Sequence, residues 1–593
     1  MRKLYKYFLL IYIIFFLVNC SQGPKGIVIT SPNKRKKIHF LIVKGKPAYR
    51  IITDKKVLID TSYLGFEFKD LPIFGPNLKI QNVDFGKLDK TWEPVWWKSE
   101  KIRNHHRSAI IGMIETGGTK RKIKLHLKAF NDGVAFRYEI PEQENIDSLV
   151  ITNERTQFNF TNNDSAWWIP SHYDSYEKLY TKSLLSDLDS VNTPLTIRTN
   201  DGQYLSIHET AIFDYAGMTL KKAEKHNMEI DLVPWPDGNK VKSKTPMLSP
   251  WRTILIVDEP GELLTSNLMM NLAAEDRLTD TDWIEPLKYV GIWWGLHIGL
   301  HTWEAGKRHG ATTERTQEYI DFAAENDIKG VLVEGWNRGF ENWGHGDTPY
   351  NYLESYGDFD LEYLAQYAEK KGVELVGYHE TSGNIFNYLE QVDRAFQWYE
   401  ELGIEYVKLG FANWNMDRGY HHHGQFMVNY YQKIIEKAAK HQIMVFIHEP
   451  ILNSGIFRTY PNVLAWEGVR GMEFNAWSAG NPPEHTTIVP FTRGVAGPIE
   501  YTPGIFDLQV KRYRDQLIPP WQYKDNIEHP TVHTTLAKQL AYYVVLFSPV
   551  QMAADLIENY RGHPAFDFIR DVPLVWDETR VLSAEIGDYI VIA

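Results

Sequence analysis

Several ionisable side chains in the second half of the chain stand inside or directly after short apolar runs. Gly330-Val-Leu-Val leads into Glu334, Glu374-Leu-Val-Gly-Tyr378 into His379 and Glu380, and Met444-Val-Phe-Ile into His448 and Glu449. Lys408 lies within Tyr406-Val-Lys-Leu409, and Glu467 and Glu473 follow in Ala465-Trp-Glu-Gly-Val-Arg-Gly-Met-Glu473. Carboxylates gathered in one place repel one another, so one of them must keep its proton or a cation must sit among them. A protonated acid beside an ionised carboxylate is what hydrolysis of a glycosidic bond needs: one protonates the leaving oxygen while the other activates water or attacks the sugar. A set of carboxylate oxygens without sulfur suits calcium. A zinc or iron site on His379, His448 and the tract His421-His422-His423 is the weaker reading, because no two of these show the helix-spaced pattern of known motifs.

Each of these residues also has a structural reading. Glu334 can serve as a cap or bond a substrate hydroxyl, Lys408 can be a counter-ion, and the three histidines read as a solvated loop. Trp293 and Trp294 fit ordinary packing as well as a sugar platform. Glu380, Glu449 and Glu473 are the hardest to explain structurally.

The elements that must position these groups alternate strand and helix. Val290-Gly-Ile-Trp-Trp294 is a strand, and Thr313 to Asn326 has helix-spaced apolar residues with Thr312 or Thr313 as its cap. Strands at Gly330–Glu334, Glu374–Tyr378, Tyr406–Leu409 and Met444–Glu449 then alternate with helices at Leu361–Lys371, Tyr388–Leu402 and Phe426–Lys440. Such β/α units imply a parallel sheet with right-handed crossovers. No glycine-rich phosphate loop opens any of the helices, so a (β/α)₈ barrel over residues 285–575 is expected, with its chemistry at the C-terminal ends of the strands. A further barrel helix is expected over Thr534 to Asp555. Residues 26–284 instead show short alternating segments such as Lys122-Ile-Lys-Leu-His-Leu-Lys128, broken by Asn, Asp, Gly and Pro, which predicts an antiparallel β-sandwich. Residues 576–593 read as the start of a C-terminal β domain, whose strand from Glu585 has no partner of its own.

The net charge of −11 and the absence of a basic block argue against nucleic acid as a partner. Arg2, Lys3 and Lys6 precede an apolar run from Phe8 to Val18, so residues 1–20 read as a signal peptide, too short in its apolar part for a transmembrane helix. Cys20 is the only cysteine, which excludes a disulfide within the chain. Its place resembles that of the lipid-accepting cysteine of bacterial lipoproteins. The expectation is an exported protein of the periplasm or outer membrane, anchored by lipid at Cys20.

The chain resembles glycoside hydrolase family 97 over nearly its whole mature length. The resemblance is carried by Phe130-Asn-Asp-Gly-Val-Ala-Phe-Arg-Tyr138, Ser249-Pro-Trp-Arg-Thr-Ile254, Tyr289-Val-Gly-Ile-Trp-Trp294, Val331-Leu-Val-Glu-Gly-Trp-Asn337, Arg458-Thr-Tyr-Pro-Asn462 and Glu500-Tyr-Thr-Pro-Gly504. It implies an N-terminal β-super-sandwich, a central barrel and a C-terminal β domain, and action on α-linked oligosaccharides. Inverting members resemble this chain in having Glu380 and Glu449 as bases on water and Glu473 as general acid. Retaining members place an aspartate nucleophile where this chain has Gly410, with Asp417 a few residues later. The resemblance further implies a calcium ion held by Glu177, Glu449, Glu467 and Glu473, and sugar contacts from Glu334, Lys408, His448 and Trp293. A calcium-dependent inverting exo-α-glucosidase is therefore expected. The alternatives are a retaining α-galactosidase and a non-catalytic sugar-binding lipoprotein, the latter at odds with three candidate catalytic glutamates.

Overall fold

The computed structural model describes residues 26–54, 56–343, 350–414, 416–518 and 529–593; the expected signal peptide and Cys20 lie outside the described residues. Alternation in the first part produces two large antiparallel sheets, of eight and ten strands. In Lys122–Phe130, Ile123, Leu125 and Leu127 are buried while Lys122, Lys124 and His126 lie on the other, more exposed face, as the period of two requires. The sheets close on an apolar layer in which the Tyr49 and Phe136 rings, one from each sheet, lie 4.9 Å apart. This is the expected sandwich.

The second part forms a parallel sheet in the order expected of a barrel. Its strands are Leu287–Ile292, Gly330–Val333, Glu374–Glu380, Tyr406–Gly410, Met444–Ile447, Val463–Trp466 and Val550–Ala553, the last pairing with the first. The eighth position is held by Pro498 to Pro503, which makes a bridge at Trp466–Ile499 and joins its neighbours through Glu500 N to Trp466 O on one side and Ala554 N to Pro503 O on the other. A proline at each end of this segment removes ladder donors, so no regular strand forms there.

Helix ends follow the chemistry of their caps. Thr312 Oγ1 accepts from Arg315 N, and Asp360 Oδ1 accepts from Tyr363 N at the head of Leu361–Lys371. Gly372, in the left-handed conformation, ends that helix without the clash a Cβ brings there.

Two expectations need correction. The apolar stretch read as one helix over Thr534 to Asp555 is a helix at Leu536–Val545 followed by the barrel strand Val550–Ala553; Pro549 lacks the N–H that a continuing helix needs. The strand expected to lack a partner forms a hairpin, Val581–Glu585 with Tyr589–Ile592. Its Val581, Ala584, Ile590 and Ile592 pack against a cluster containing Leu263, Leu264 and Phe491.

Candidate active site

A cavity of about 500 Å³ opens at the C-terminal ends of the barrel strands. Its walls include Trp293, Glu334, Tyr378, Glu380, Lys408, Gly410, His448, Glu449 and Glu473 from the barrel, and Glu177 from the β domain. Strand geometry explains who is present. Successive side chains alternate between the two faces of a strand, so Tyr378 and Glu380 face the barrel interior together, as do Lys408 and Gly410. His379, between them, faces the helix layer, where it lies against the rings of Phe396 and Tyr399 and bonds the Tyr388 hydroxyl. Two adjacent residues, His448 and Glu449, both reach the cavity because their strand ends at Ile447 and Glu449 takes a φ of 66°. That left-handed backbone is costly for a non-glycine residue, by about 1–3 kcal/mol, and is typical of a site that demands a particular side-chain direction.

Glu380 and Glu449 are held by one loop. Glu380 Oε1 accepts from Ser382 N at 2.6 Å and from Ala412 N at 3.0 Å, and its Oε2 accepts from the Tyr378 hydroxyl at 3.0 Å. Glu449 Oε2 accepts from Phe411 N at 2.8 Å. Both carboxyls are nonetheless pushed above the ordinary carboxylate range, first by burial; for Glu449 the neighbouring carboxylates Glu467 and Glu380 add to it. Burial and Glu467 drive the Glu473 carboxyl up to about 8, which leaves it protonated at neutral pH.

Ligand atoms of Glu177, Glu467 and Glu473 lie within 4.8 Å of one another, and so do those of His448, Glu449 and Glu467. At this spacing two ionised groups repel by about 3.5 kcal/mol for an effective dielectric near 20. Glu177, too, is raised well above the ordinary range, by burial and then by Glu467, Glu473 and Glu449. Glu467 is buried, with His448 Nδ1 3.2 Å from its Oε2 as a positive neighbour. One imidazole against four crowded carboxylates leaves an excess of oxygen donors that fits a hard cation.

On the opposite wall, Lys408 Nζ donates to Glu334 Oε1 at 3.0 Å, with both side chains buried. Burial alone would lower this lysine, but Glu334 and then Glu500 outweigh it and keep it charged. Removing either partner would leave a buried charge uncompensated, at a cost of about 3–5 kcal/mol.

Sequence profiles of this chain match "Glycosyl-hydrolase 97 N-terminal" over residues 29–274 and "Glycoside hydrolase 97" over residues 293–469. A family 97 enzyme from Pseudoalteromonas sp. strain K8, solved with panose and with acarbose, is 40% identical with a TM-score of 0.90, covering 95% of this chain and 86% of that one.

The chain belongs to glycoside hydrolase family 97. Two curated relatives are more distant. A "Retaining alpha-galactosidase" of Bacteroides thetaiotaomicron is 26% identical over 96% of this chain and 86% of its own length. A "Probable retaining alpha-galactosidase" of Streptomyces bingchenggensis is 27% identical over 82% and 69%.

In this family 97 enzyme the structure brings together the residues expected to serve catalysis, sugar contact or calcium: Glu334, Glu380, Lys408, His448, Glu449, Glu473, Trp293 and Glu177 line the cavity, and Glu467 is buried beside Glu177, His448, Glu449 and Glu473. His448 lines the cavity, and both of its ring nitrogens face carboxylates of the protein. Nε2 is 2.5 Å from Glu500 Oε2, and Nδ1 is 3.2 Å from Glu467 Oε2. Burial would lower its pKa, but the two carboxylates raise it well above the usual histidine value.

Glu500, which also accepts from the Tyr289 hydroxyl, heads the motif Glu500-Tyr-Thr-Pro-Gly504, where local sequence gives no sign of its role. His297, whose Nε2 lies 4.0 Å from Glu473 Oε2, was missed because it follows the first strand in a short helix without local pattern. Tyr378 was recoverable: its spacing of two from Glu380 on one strand puts both on one face.

The three histidines do not form a solvated loop. His422 and His423 are buried, because they staple the barrel to the β domain. His421 Nδ1 and His422 N bond the two oxygens of Asp174, and the His423 ring stacks on Tyr176 at 4.4 Å. Asp174, Tyr176 and Glu177 share one short segment, so this staple also delivers Glu177 to the barrel rim.

Proposed function

We propose that this family 97 enzyme is an inverting exo-α-glucosidase. Glu473 protonates the departing oxygen, while Glu380 and Glu449 take the proton from the attacking water. The observation that carries the inverting reading is Gly410. A Cβ placed there would overlap the Glu380 carboxylate and come within 2.9 Å of the Tyr378 hydroxyl, so this position has no space for a nucleophile while Glu380 keeps its place. Asp417 Oδ2 accepts from Phe386 N at 3.3 Å and is not among the described residues that line the cavity. The choice of glucose is supported by the 40% identical enzyme solved with panose and acarbose.

The deciding experiment is proton NMR during hydrolysis of an α-glucoside. β-Glucose is expected as the first product; α-glucose appearing first would end the inverting reading. The second reading, a retaining α-galactosidase, is favoured by the names of the two curated relatives. It would show as faster turnover of α-galactosides with α-galactose released first.

We further propose that Glu177, Glu449, Glu467 and Glu473 hold calcium. When bound, the ion would offset the carboxylate repulsion and supply positive charge beside the departing oxygen. Loading should also tie the β domain to the barrel through Glu177. Removal of the ion with a chelator is expected to lower kcat at least tenfold and the melting temperature by several degrees, both restored by added calcium, because a ligand of the folded state stabilises it by mass action. Unchanged activity and melting after chelation would remove the ion from the proposal. The N-terminal pattern supports a place outside the cytoplasm, with Cys20 as the anchor.

A further inference from the structure

The cavity is graded from floor to mouth. Trp293, Glu334 and Lys408 are no more than 3% exposed, whereas Trp414, which also lines the cavity, is 53% exposed. A single exposed ring is ordinary on a protein surface; what sets Trp414 apart is that it also lines the cavity that holds the carboxylates. Trp414 is not loosely hung. The His172 ring lies 4.9 Å from it, tilted by 56°, and Lys178 Nζ stands 5.2 Å from its centroid. His172 is itself fixed, its Nδ1 accepting from Asp174 N at 3.1 Å. Both partners come from the β-domain segment that carries Glu177, so the indole is held from the other domain while more than half of its surface stays open.

The position of Trp414 along the chain ties it to the chemistry. Phe411 N holds Glu449 and Ala412 N holds Glu380, and Trp414 follows two residues later on the same loop. A sugar seated on the floor, against Trp293, Glu334 and Lys408, must extend its linked neighbours toward the mouth. Sugar rings present C–H faces that stack on indole, and a pre-positioned ring gains this contact at little conformational cost.

We propose that Trp414 is the platform for the sugar units on the leaving-group side of the bond that is cleaved. The inference rests on the glycosidase reading above and adds the residue that favours a longer substrate over a small glycoside. Ligand seated on Trp414 also steadies the loop that holds the two bases.

The test compares maltotriose with 4-nitrophenyl α-glucoside. In Trp414→Ala the ratio of kcat/KM on maltotriose to that on the aryl glucoside should fall about tenfold, mainly through KM, and Trp414→Phe should recover most of it. The same tenfold fall is expected in the ratio of maltotriose to glucose affinity, measured by calorimetry on Glu473→Gln with and without Trp414→Ala. Because a nitrophenyl ring can itself stack on indole, a parallel loss on both substrates with an unchanged maltotriose-to-glucose affinity ratio would show that Trp414 only positions the loop, and no change in either ratio would show that it only packs the domains together; each overturns the platform. If the wild-type protein cleaves α-galactosides instead, the glucosidase reading fails by itself. An α-galactosyl trisaccharide against 4-nitrophenyl α-galactoside then tests the platform in the same way.

Discussion

Glu473→Gln should lose about 10²- to 10⁴-fold in kcat on maltose and far less on 4-nitrophenyl α-glucoside. A sugar leaving group must be protonated as it departs, while a nitrophenolate leaves without help, so the deficit of an acid-deficient variant tracks the basicity of the leaving group. The environment suits the role: burial and Glu467 hold the Glu473 proton up to about 8, so the side chain is a neutral acid at pH 7. Activity of the wild-type protein should therefore fall on the alkaline side, as pH rises through this value, and the limb should vanish in Glu473→Gln on the aryl substrate. Calcium among the carboxylates favours the ionised form and should move the limb to lower pH. An equal loss on both substrates would assign Glu473 to the ion site rather than to proton donation.

Glu380→Gln should lose about 10²- to 10⁴-fold on both substrates alike, because the single displacement needs an activated water whichever group departs. The amide can occupy the same place. Its oxygen can accept from Ser382 N and Ala412 N, as Glu380 Oε1 does, while its nitrogen donates to a Tyr378 hydroxyl that turns to receive it. Folding should thus be preserved, and an unchanged melting temperature checks this. Full activity in Glu380→Gln would leave Glu449 as the sole base. Together the two variants separate acid from base by their response to the leaving group.

Much of this architecture was legible in the sequence because it is local. The helix Leu361–Lys371 lies where its apolar spacing, its Asp360 cap and its terminal Gly372 place it, and the carboxylates of Glu380 and Glu449 sit where apolar strands end. Legibility failed where local pattern and tertiary demand diverge. The apolar stretch around Leu536 to Ala553 changes from helix to strand at Pro549, and periodicity alone does not mark a short buried strand. The His421–His423 tract looks polar and solvated, yet a buried aspartate across the domain boundary supplies its partners.

Residue types and their spacing by themselves determined the two-part fold and the acidic groups at the strand ends, since strand and helix periods and end signals act within a few residues, while the family was carried by the resemblance of its motifs. Only the tertiary structure decided which of those groups share one field. Coulomb interaction and desolvation depend on distance through space, so the proton on Glu473, the charge on His448 wedged between Glu467 and Glu500, and the lack of room at Gly410 exist only once the barrel has closed and the β domain has brought Glu177 to its rim.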